Sequence, residues 1–409
     1  MTDQNRKRFP GSIEDYDQVS GPVTITYHPN IASKRDIYIF GDIHLENSGL
    51  CQMVFDNRPI EIVDFFDKIF HNSDKRLDFF LEIPVITLNK SISTPPLSIP
   101  SPPIPQEGPM VRLRERFEDC FSGTLMSGCE RRYPNTMFHS MDIRQKMNGR
   151  RNNGKLTLFT QYSQILSSIV SDCHSQVNGL TKLISAEKEQ IPHETKMEML
   201  KKTSQLLLLF NNNELIKIMK DYVRIPHRDI NFNVNGNFEY YEQVEYPGVN
   251  QIKDRINELS YDSKKKIMDF FDKRSLMILK SYKDIQEGIE KNFKNIMENL
   301  EKNKQIEKKE NVFMKLCNLI KLKSLIMFNI DGLFFDISNL AKVLKLLDEK
   351  YDTTPGEIWI YAGEGHSEVF RDFIINHLGN KDYYKSASIT ERCQDIKEIK
   401  TQSQKRKTK

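Results

Sequence analysis

The segment Asp36-Ile-Tyr-Ile-Phe-Gly-Asp-Ile-His-Leu-Glu46 joins an apolar, β-prone run to a glycine, an aspartate, a histidine and a glutamate. A second segment, Glu357-Ile-Trp-Ile-Tyr-Ala-Gly-Glu-Gly-His366, has the same order, with a histidine three residues after a glycine. Apolar runs without polar alternation are typical of strands buried on both faces of a sheet. If the two strands are neighbours in a parallel sheet, His44 and His366 lie at the same carboxyl edge, where open α/β sheets hold their sites.

The chain between these segments first alternates strands with helices. Ile60–Phe70 has the apolar stripe of a helix, and the apolar run Leu77–Pro84 reads as a strand, so the order is strand, helix, strand. A third strand is predicted at Thr136–Arg144, and a helical period extends from about residue 155 to residue 326. The sequence therefore predicts an α/β fold with a mainly parallel sheet flanked by helices, interrupted by a large α-helical insertion.

These patterns divide the chain into five predicted parts. They are a flexible N-terminus at 1–20, the first half of the α/β domain at 21–150 with a proline-rich loop at 91–109, the helical insertion at 151–326, the second half of the α/β domain at 327–380, and a polar, basic tail at 381–409. The tail is predicted to be disordered from Cys393 onward. Ser367 is predicted to cap the helix that follows His366.

The amino-acid composition of the chain argues against several classes of function. The 409 residues include 60 basic and 56 acidic side chains, a near balance that argues against a general nucleic-acid binder. The six cysteines are widely spaced and lack a C-x-x-C pair, which predicts free thiols in a reducing, cytoplasmic location. The N-terminus has no secretory signal pattern, and no apolar run is long enough for a membrane span.

Charged residues also close the two intervening strands. Glu82 ends one of them, and Arg144 ends the other. Because burial of an unpaired charge is costly, both residues need partners. One interpretation is a structural Glu82–Arg144 salt bridge, and the other is a polar pocket shared by His44, Glu82, Arg144 and His366.

The pattern Gly41-x-x-His44, Glu82, Arg144 and Gly363-x-x-His366 resembles the TraB/Tiki/erythromycin-esterase-like superfamily, also called EreA/ChaN-like. The resemblance covers roughly residues 36–145 and 335–380. It implies a hydrolase of ester or peptide-type bonds with a catalytic set of His44, Glu82, Arg144 and His366. It also implies a divalent metal (Mn, Co or Zn) on His44, Glu82 and His366, or metal-free activation of water. Arg144 would stabilise an anion or a transition state.

Two other classes of function remain open from the sequence. Asp42-Ile-His44 also resembles the opening Asp-x-His of calcineurin-like metallophosphoesterases, although the further motifs of that family are absent from the sequence. The third class is a catalytically inactive interaction scaffold on the same fold. In that case the proline-rich loop or the helical insertion would contact a protein partner.

Overall fold

The computed structural model describes residues 16–31, 35–43, 59–84, 108–121, 126–142, 252, 254–301, 332–348, 354–390 and 392–407. The predicted site residues His44 and Arg144 lie outside these ranges. So do residues 1–15, residues 91–107 of the proline-rich loop, and most of the predicted helical insertion.

The described residues form ten strands and several helices. The strands are β1 Gln18–Ser20, β2 Thr24–Ile31, β3 Arg35–Asp42, β4 Pro59–Glu61, β5 Arg76–Pro84, β6 Thr136–Asp142, β7 Gly356–Gly363, β8 Tyr384–Lys385, β9 Ala387–Thr390 and β10 Cys393–Asp395. The main helices are α1 Ile62–Asn72, α2 Pro109–Phe121, α3 Met126–Arg132, α4 Tyr261–Glu301, α5 at residues 332–347, α6 Glu364–Asn376 and α7 Lys397–Lys407.

The larger sheet has six strands in the order β6-β5-β7-β3-β2-β8. Its pairings from β6 through β5 and β7 to β3 are parallel, whereas β2 pairs antiparallel with both β3 and β8. The fold is thus mixed α/β with a partly parallel sheet. The register of β3 with β7 pairs Asp42 with Gly363, so the strands of the two glycine–histidine segments end side by side.

One face of this sheet is covered by an aromatic core. The apolar stripe predicted for α1 is buried, and Phe66 packs on Phe40 with ring centroids 5.0 Å apart and on Phe79 at 4.9 Å. Trp359 of β7 lies 5.4 Å from Phe40 in the same cluster. Burial of these rings contributes a large apolar area and holds α1 across the central strands.

The smaller sheet has four strands in the order β4-β1-β10-β9, and it includes residues near both termini. The prediction that the chain is disordered from Cys393 is wrong. Cys393 begins β10, which pairs antiparallel with β1 and β9, and Ile396 and Ile399 are buried in the core. The predicted tail is therefore structured as far as α7 within the described residues.

The chain separates into two compact units. One contains Met1–Gln145, Asp254–Phe270 and Phe335–Lys409, and it holds both sheets. The other contains Lys146–Lys253 and Phe271–Phe334, and its described residues are helical. None of the helices in the described ranges is both long enough and apolar enough to cross a membrane.

The prediction of free thiols is wrong for the three cysteines of the described ranges, because Cys393 is disulfide-bonded and the other two pair with each other. Cys120 of α2 and Cys129 of α3 form a disulfide, with their Cα atoms 5.1 Å apart. The spacing of nine residues did not indicate a pair, because it matches no C-x-x-C or dense cysteine pattern.

Candidate functional site

The candidate site is built on the carboxyl ends of β5 and β7, which are neighbours in the parallel part of the larger sheet. Glu82 lies near the end of β5 and its side chain is 5% exposed. Its Oε2 atom accepts a hydrogen bond of 2.7 Å from the backbone N–H of Gly363. This bond orients the carboxylate toward the start of α6 and satisfies one of the unpaired N–H groups there.

His366 enters the site from the first turn of α6. The helix begins at Glu364, directly after β7, so the prediction that Ser367 caps it is wrong. Ser367 is buried inside the helix, and its hydroxyl reaches the backbone oxygens of Phe40 and Ala362 at 3.4 and 3.3 Å. The Nε2 atom of His366 lies 3.7 Å from Oε1 of Glu82. The structure therefore brings two of the four predicted site residues together.

A third side chain, which the sequence reasoning missed, completes this centre. Asp336 of α5 places Oδ1 2.7 Å from Nδ1 of His366, and its side chain is 5% exposed. The ring of the preceding residue, Phe335, lies 4.2 Å from the imidazole. The signal was present in Leu333-Phe-Phe-Asp-Ile337, because an aspartate inside so apolar a run needs a polar partner.

The imidazole of His366 thus lies between two carboxylates, with one facing each ring nitrogen. Asp336 and Glu82 are almost fully buried, whereas the His366 side chain is 20% exposed. A carboxylate on Nδ1 fixes the tautomer and the ring orientation, which leaves Nε2 directed at Glu82. A histidine held in this way can accept and return a proton at Nε2.

The other two predicted site residues cannot be placed. His44 and Arg144 lie outside the described residues, which end at Ile43 after β3 and at Asp142 after β6. β3 is parallel to β7 and β6 is parallel to β5, so the described chain ends at the same carboxyl edge on either side of β5 and β7. Gly363 and His366 are both partners of Glu82 in the described part of the chain.

Gly41, the first glycine of the paired motif, lies where a side chain would not fit. Gly41 lies within β3, and a Cβ atom added there would be 1.6 Å from Oε2 of Glu364 and 2.6 Å from the Thr24 hydroxyl. Glu364 receives hydrogen bonds from Thr24 at 2.6 Å and from Arg371 at 2.5 Å. The missing side chain at Gly41 therefore gives space to a carboxylate two residues before His366.

Asp42, the acidic neighbour in the first motif, is part of a buried ion pair. Its Oδ1 atom lies 3.2 Å from Nη1 of Arg392, and both side chains are fully buried. Burial raises the pKa of the nearby Tyr361 phenol well above its usual range, and the charge of Asp42 raises it further. This pair connects the end of β3 to the segment before β10, so Asp42 has a structural partner.

No group of three or more histidine, cysteine, aspartate or glutamate side chains with an arrangement that could hold a metal occurs in the described ranges. Glu82 and His366 provide two of the three predicted ligands, and the third, His44, is not among the described residues.

Comparisons of the chain with models of protein families, with curated proteins and with solved structures found no match.

Proposed function

We propose that this protein is a hydrolase of ester or peptide-type bonds whose proton-transfer residue is His366. The observation that carries the proposal is the Asp336–His366–Glu82 arrangement, in which Nδ1 is 2.7 Å from one carboxylate and Nε2 is 3.7 Å from the other. A buried carboxylate behind a histidine, with the second nitrogen facing a polar edge, is suited to general acid–base catalysis.

In this mechanism a water molecule lies between Nε2 of His366 and Oε1 of Glu82. The separation of 3.7 Å is too long for a direct hydrogen bond and permits both atoms to contact one water oxygen. As that oxygen attacks the carbonyl carbon, its proton passes to Nε2, and Asp336 stabilises the imidazolium that forms. When the tetrahedral intermediate collapses, the same proton passes from Nε2 to the leaving group.

We assign Arg144 the role of stabilising the negative charge that develops on the carbonyl oxygen. A guanidinium close to that oxygen would stabilise the tetrahedral intermediate more than the neutral substrate. The support is its position in the sequence, two residues after β6 ends at the carboxyl edge of the sheet.

A divalent metal such as Mn, Co or Zn is compatible with two of these donors. Oε1 of Glu82 and Nε2 of His366 would ligate it together with His44, and Asp336 would orient the His366 ring from the opposite nitrogen. Such a metal would lower the pKa of a bound water and so supply the nucleophile at neutral pH.

We assign the chain to the TraB/Tiki/erythromycin-esterase-like superfamily, with a mainly parallel core interrupted by a large helical insertion. The parallel run β6-β5-β7-β3 and the 41-residue helix α4 support this assignment. The paired Gly-x-x-His segments, which end adjacent strands, support it as well.

The proposal is tested by a panel of substrates for the purified full chain. We expect release of p-nitrophenol from p-nitrophenyl acetate, or cleavage of quenched fluorescent peptides, and loss of at least about 100-fold in kcat/KM for His366→Ala. His71→Ala is the matched control, because His71 is exposed on α1 and contacts the backbone oxygen of Arg132 rather than the site. Elemental analysis of both proteins would report a bound metal.

The two other classes of function predict different results with the same panel of substrates. A calcineurin-like phosphoesterase would release phosphate from p-nitrophenyl phosphate with manganese and leave the esters intact. A scaffold would turn over no substrate, and His366→Ala would have the same lack of activity as the wild type. Either outcome contradicts the hydrolase proposal.

A further inference from the structure

Glu82 lies at an irregularity of the larger sheet. Along β5 and β6 the residues pair one to one as far as Leu81, and the register shifts before Pro84. The pairs on either side of the shift are Leu81 with Ser140 and Pro84 with Asp142. Between these pairs β5 has two residues, Glu82 and Ile83, and β6 has one, which is the arrangement of a β-bulge. Bulges are common beside active sites, where they change the direction of a side chain, so this bulge helps to orient the Glu82 carboxylate.

A side chain of β6 fastens this bulge. The hydroxyl of Ser140 donates a hydrogen bond to the backbone oxygen of Ile83, the residue after Glu82. A bulge interrupts the ladder of backbone hydrogen bonds between two strands. Ser140 supplies a side-chain hydrogen bond where the ladder is interrupted, so it holds this part of β5 against β6.

The same end of β6 is bonded to α5 by two side chains of that helix. Asn339, which is fully buried, donates from Nδ2 to the backbone oxygen of Met141 at 3.0 Å. Nζ of Lys342 donates to the backbone oxygen of Ser140 at 2.6 Å. Residues three apart lie on the same side of a helix, so the two donors together hold one side of α5 against the end of β6.

Asn339 also connects this contact to the carboxylate behind the histidine. Its Nδ2 atom donates a second hydrogen bond, of 2.8 Å, to the backbone oxygen of Phe335. Phe335 directly precedes Asp336, and its ring lies against the imidazole of His366. Since Asp336 is less than one turn from Asn339 on the same helix, the bonds to β6 determine where this carboxylate lies relative to the sheet.

We propose that the side chains that meet at the end of β6 are positioning residues of the hydrolase centre, an inference that rests on the function proposed above. They are Ser140, Asn339 and Lys342. The serine holds the bulge that carries Glu82, and the two residues of α5 hold the helix that carries Asp336. Both carboxylates are thereby fixed to the same strand end, and with them the 3.7 Å from Oε1 of Glu82 to Nε2 of His366. Proton transfer through a water in that gap needs hydrogen-bond distances of about 2.6–3.2 Å, so it tolerates little displacement.

Two measurements on the purified full chain test these roles. The ¹⁵N chemical shifts of the His366 ring show which nitrogen carries the proton, and they need no substrate. Steady-state kinetics with an ester or peptide substrate separate kcat from KM. Lys342→Met is the primary variant, because this side chain is only partly buried and the variant is expected to fold. The matched control is Lys345→Met, since Lys345 lies on the same helix and pairs with the exposed Glu258.

Loss of a donor from α5 should change the tautomer of the histidine. For Lys342→Met and Asn339→Ala we expect a larger share of the tautomer protonated at Nε2, and kcat lower by about 10-fold with KM changed by less than about 2-fold. Lys345→Met should match the wild type in both measurements. Wild-type ring shifts and wild-type kcat in Lys342→Met would overturn the role of α5. A wild type that hydrolyses no substrate contradicts the proposed function, whereas the ring shifts alone decide whether α5 positions the histidine.

Ser140 acts on the other carboxylate, so its variants should leave the tautomer of His366 unchanged. In Ser140→Ala the bulge loses its bond to Ile83, and we expect kcat to fall by about 3- to 10-fold because Glu82 is held less tightly. Ser140→Thr retains a hydroxyl and is suited to a strand, so kcat should return to within about 2-fold of the wild type. Equal kcat of Ser140→Ala and the wild type, or a Ser140→Thr protein as slow as Ser140→Ala, would overturn the role of the Ser140 hydroxyl.

Discussion

Asp336 and His366 are joined by a hydrogen bond of 2.7 Å between Oδ1 and Nδ1, although they belong to different helices. The carboxylate is almost fully buried and the imidazole is partly exposed, so the pair presents one ring nitrogen to the carboxyl edge of the sheet. Glu82 faces that nitrogen from β5. This arrangement makes His366 the centre of the proposed chemistry.

Replacement of the carboxylate behind the histidine should impair turnover more than binding. In Asp336→Asn the amide no longer stabilises a charged imidazole and can support the other tautomer, so we expect kcat for ester hydrolysis to fall by about 10- to 100-fold with little change in KM. The ¹⁵N chemical shifts of the His366 ring would report the change of tautomer. Asp372→Asn on the surface of α6 is the control, because Asp372 contacts Asn376 and not the site. Equal activity of Asp336→Asn and the control would contradict the role of Asp336.

Much of the central sheet could be predicted because its strands carry long apolar runs. The apolar runs at the start of Asp36–Glu46 and of Glu357–His366 lie in β3 and β7, and the predicted strand Leu77–Pro84 lies in β5. Glu82 could be predicted as a site residue for the same reason, because a charge that ends a buried strand needs a partner. Local patterns therefore identified two members of the centre before any contact was known.

The remaining features depend on contacts between distant parts of the chain. Asp336 lies within the apolar pattern of α5, and its contact with His366 forms only when α5 packs beside α6. A side chain is excluded at Gly41 because the Glu364 carboxylate, more than three hundred residues away in the sequence, occupies that space. The segment Cys393–Asp395 is short and polar, so it has no sequence pattern typical of a strand. It becomes one because it pairs with β1 and β9.

Addition of one methyl group at Gly41 should disturb the start of α6. Because the new Cβ would be 1.6 Å from the Glu364 carboxylate, we expect Gly41→Ala to lower the free energy of unfolding by about 1–3 kcal/mol. Gly365→Ala is the matched control. A Cβ there meets nothing within 4 Å, so the helix should gain up to about 1 kcal/mol. Urea unfolding of both variants measures the difference, and equal stability would show that Glu364 does not occupy the space at Gly41.

Stability should decrease in mild acid because of His28. Burial lowers the pKa of His28 from its usual value of 6.5 to about 4, the nearby Asn380 side chain opposes this shift, and the positive charge of Arg371 adds to it. Between these two values the unfolded chain binds the proton and the folded chain does not, so the free energy of unfolding falls as the pH is lowered through this window. The full effect is about 3 kcal/mol.

Unfolding by urea at a series of pH values between 7 and 4 checks the contribution of His28. In His28→Phe, whose ring can stack on Tyr383 as the imidazole does, this part of the pH dependence should be lost. His71→Phe, at an exposed position, should retain it. If His28→Phe loses stability with acid as steeply as the wild type, another group is responsible.

Removal of the cation from the buried pair of Arg392 and Asp42 should destabilise the whole sheet edge. Arg392→Met leaves the Asp42 carboxylate buried without its ionic partner, and we expect a loss of about 3–5 kcal/mol. The double variant Asp42→Asn/Arg392→Met should be less destabilised than the sum of the two single variants, because the uncompensated charge is absent. Thermal unfolding of the four proteins measures the coupling. Additive effects would show that the two residues do not interact.

The most direct measurement of the central claim is a double-mutant cycle on Glu82 and His366 with kcat/KM for an ester or peptide substrate as the readout. If the two residues activate one water molecule, Glu82→Gln/His366→Ala should be about as slow as His366→Ala alone, because the second substitution removes a contribution that has already been lost. Losses that multiply, so that the double variant is slower by the product of the two single effects, would contradict a single centre at the carboxyl edge of the sheet.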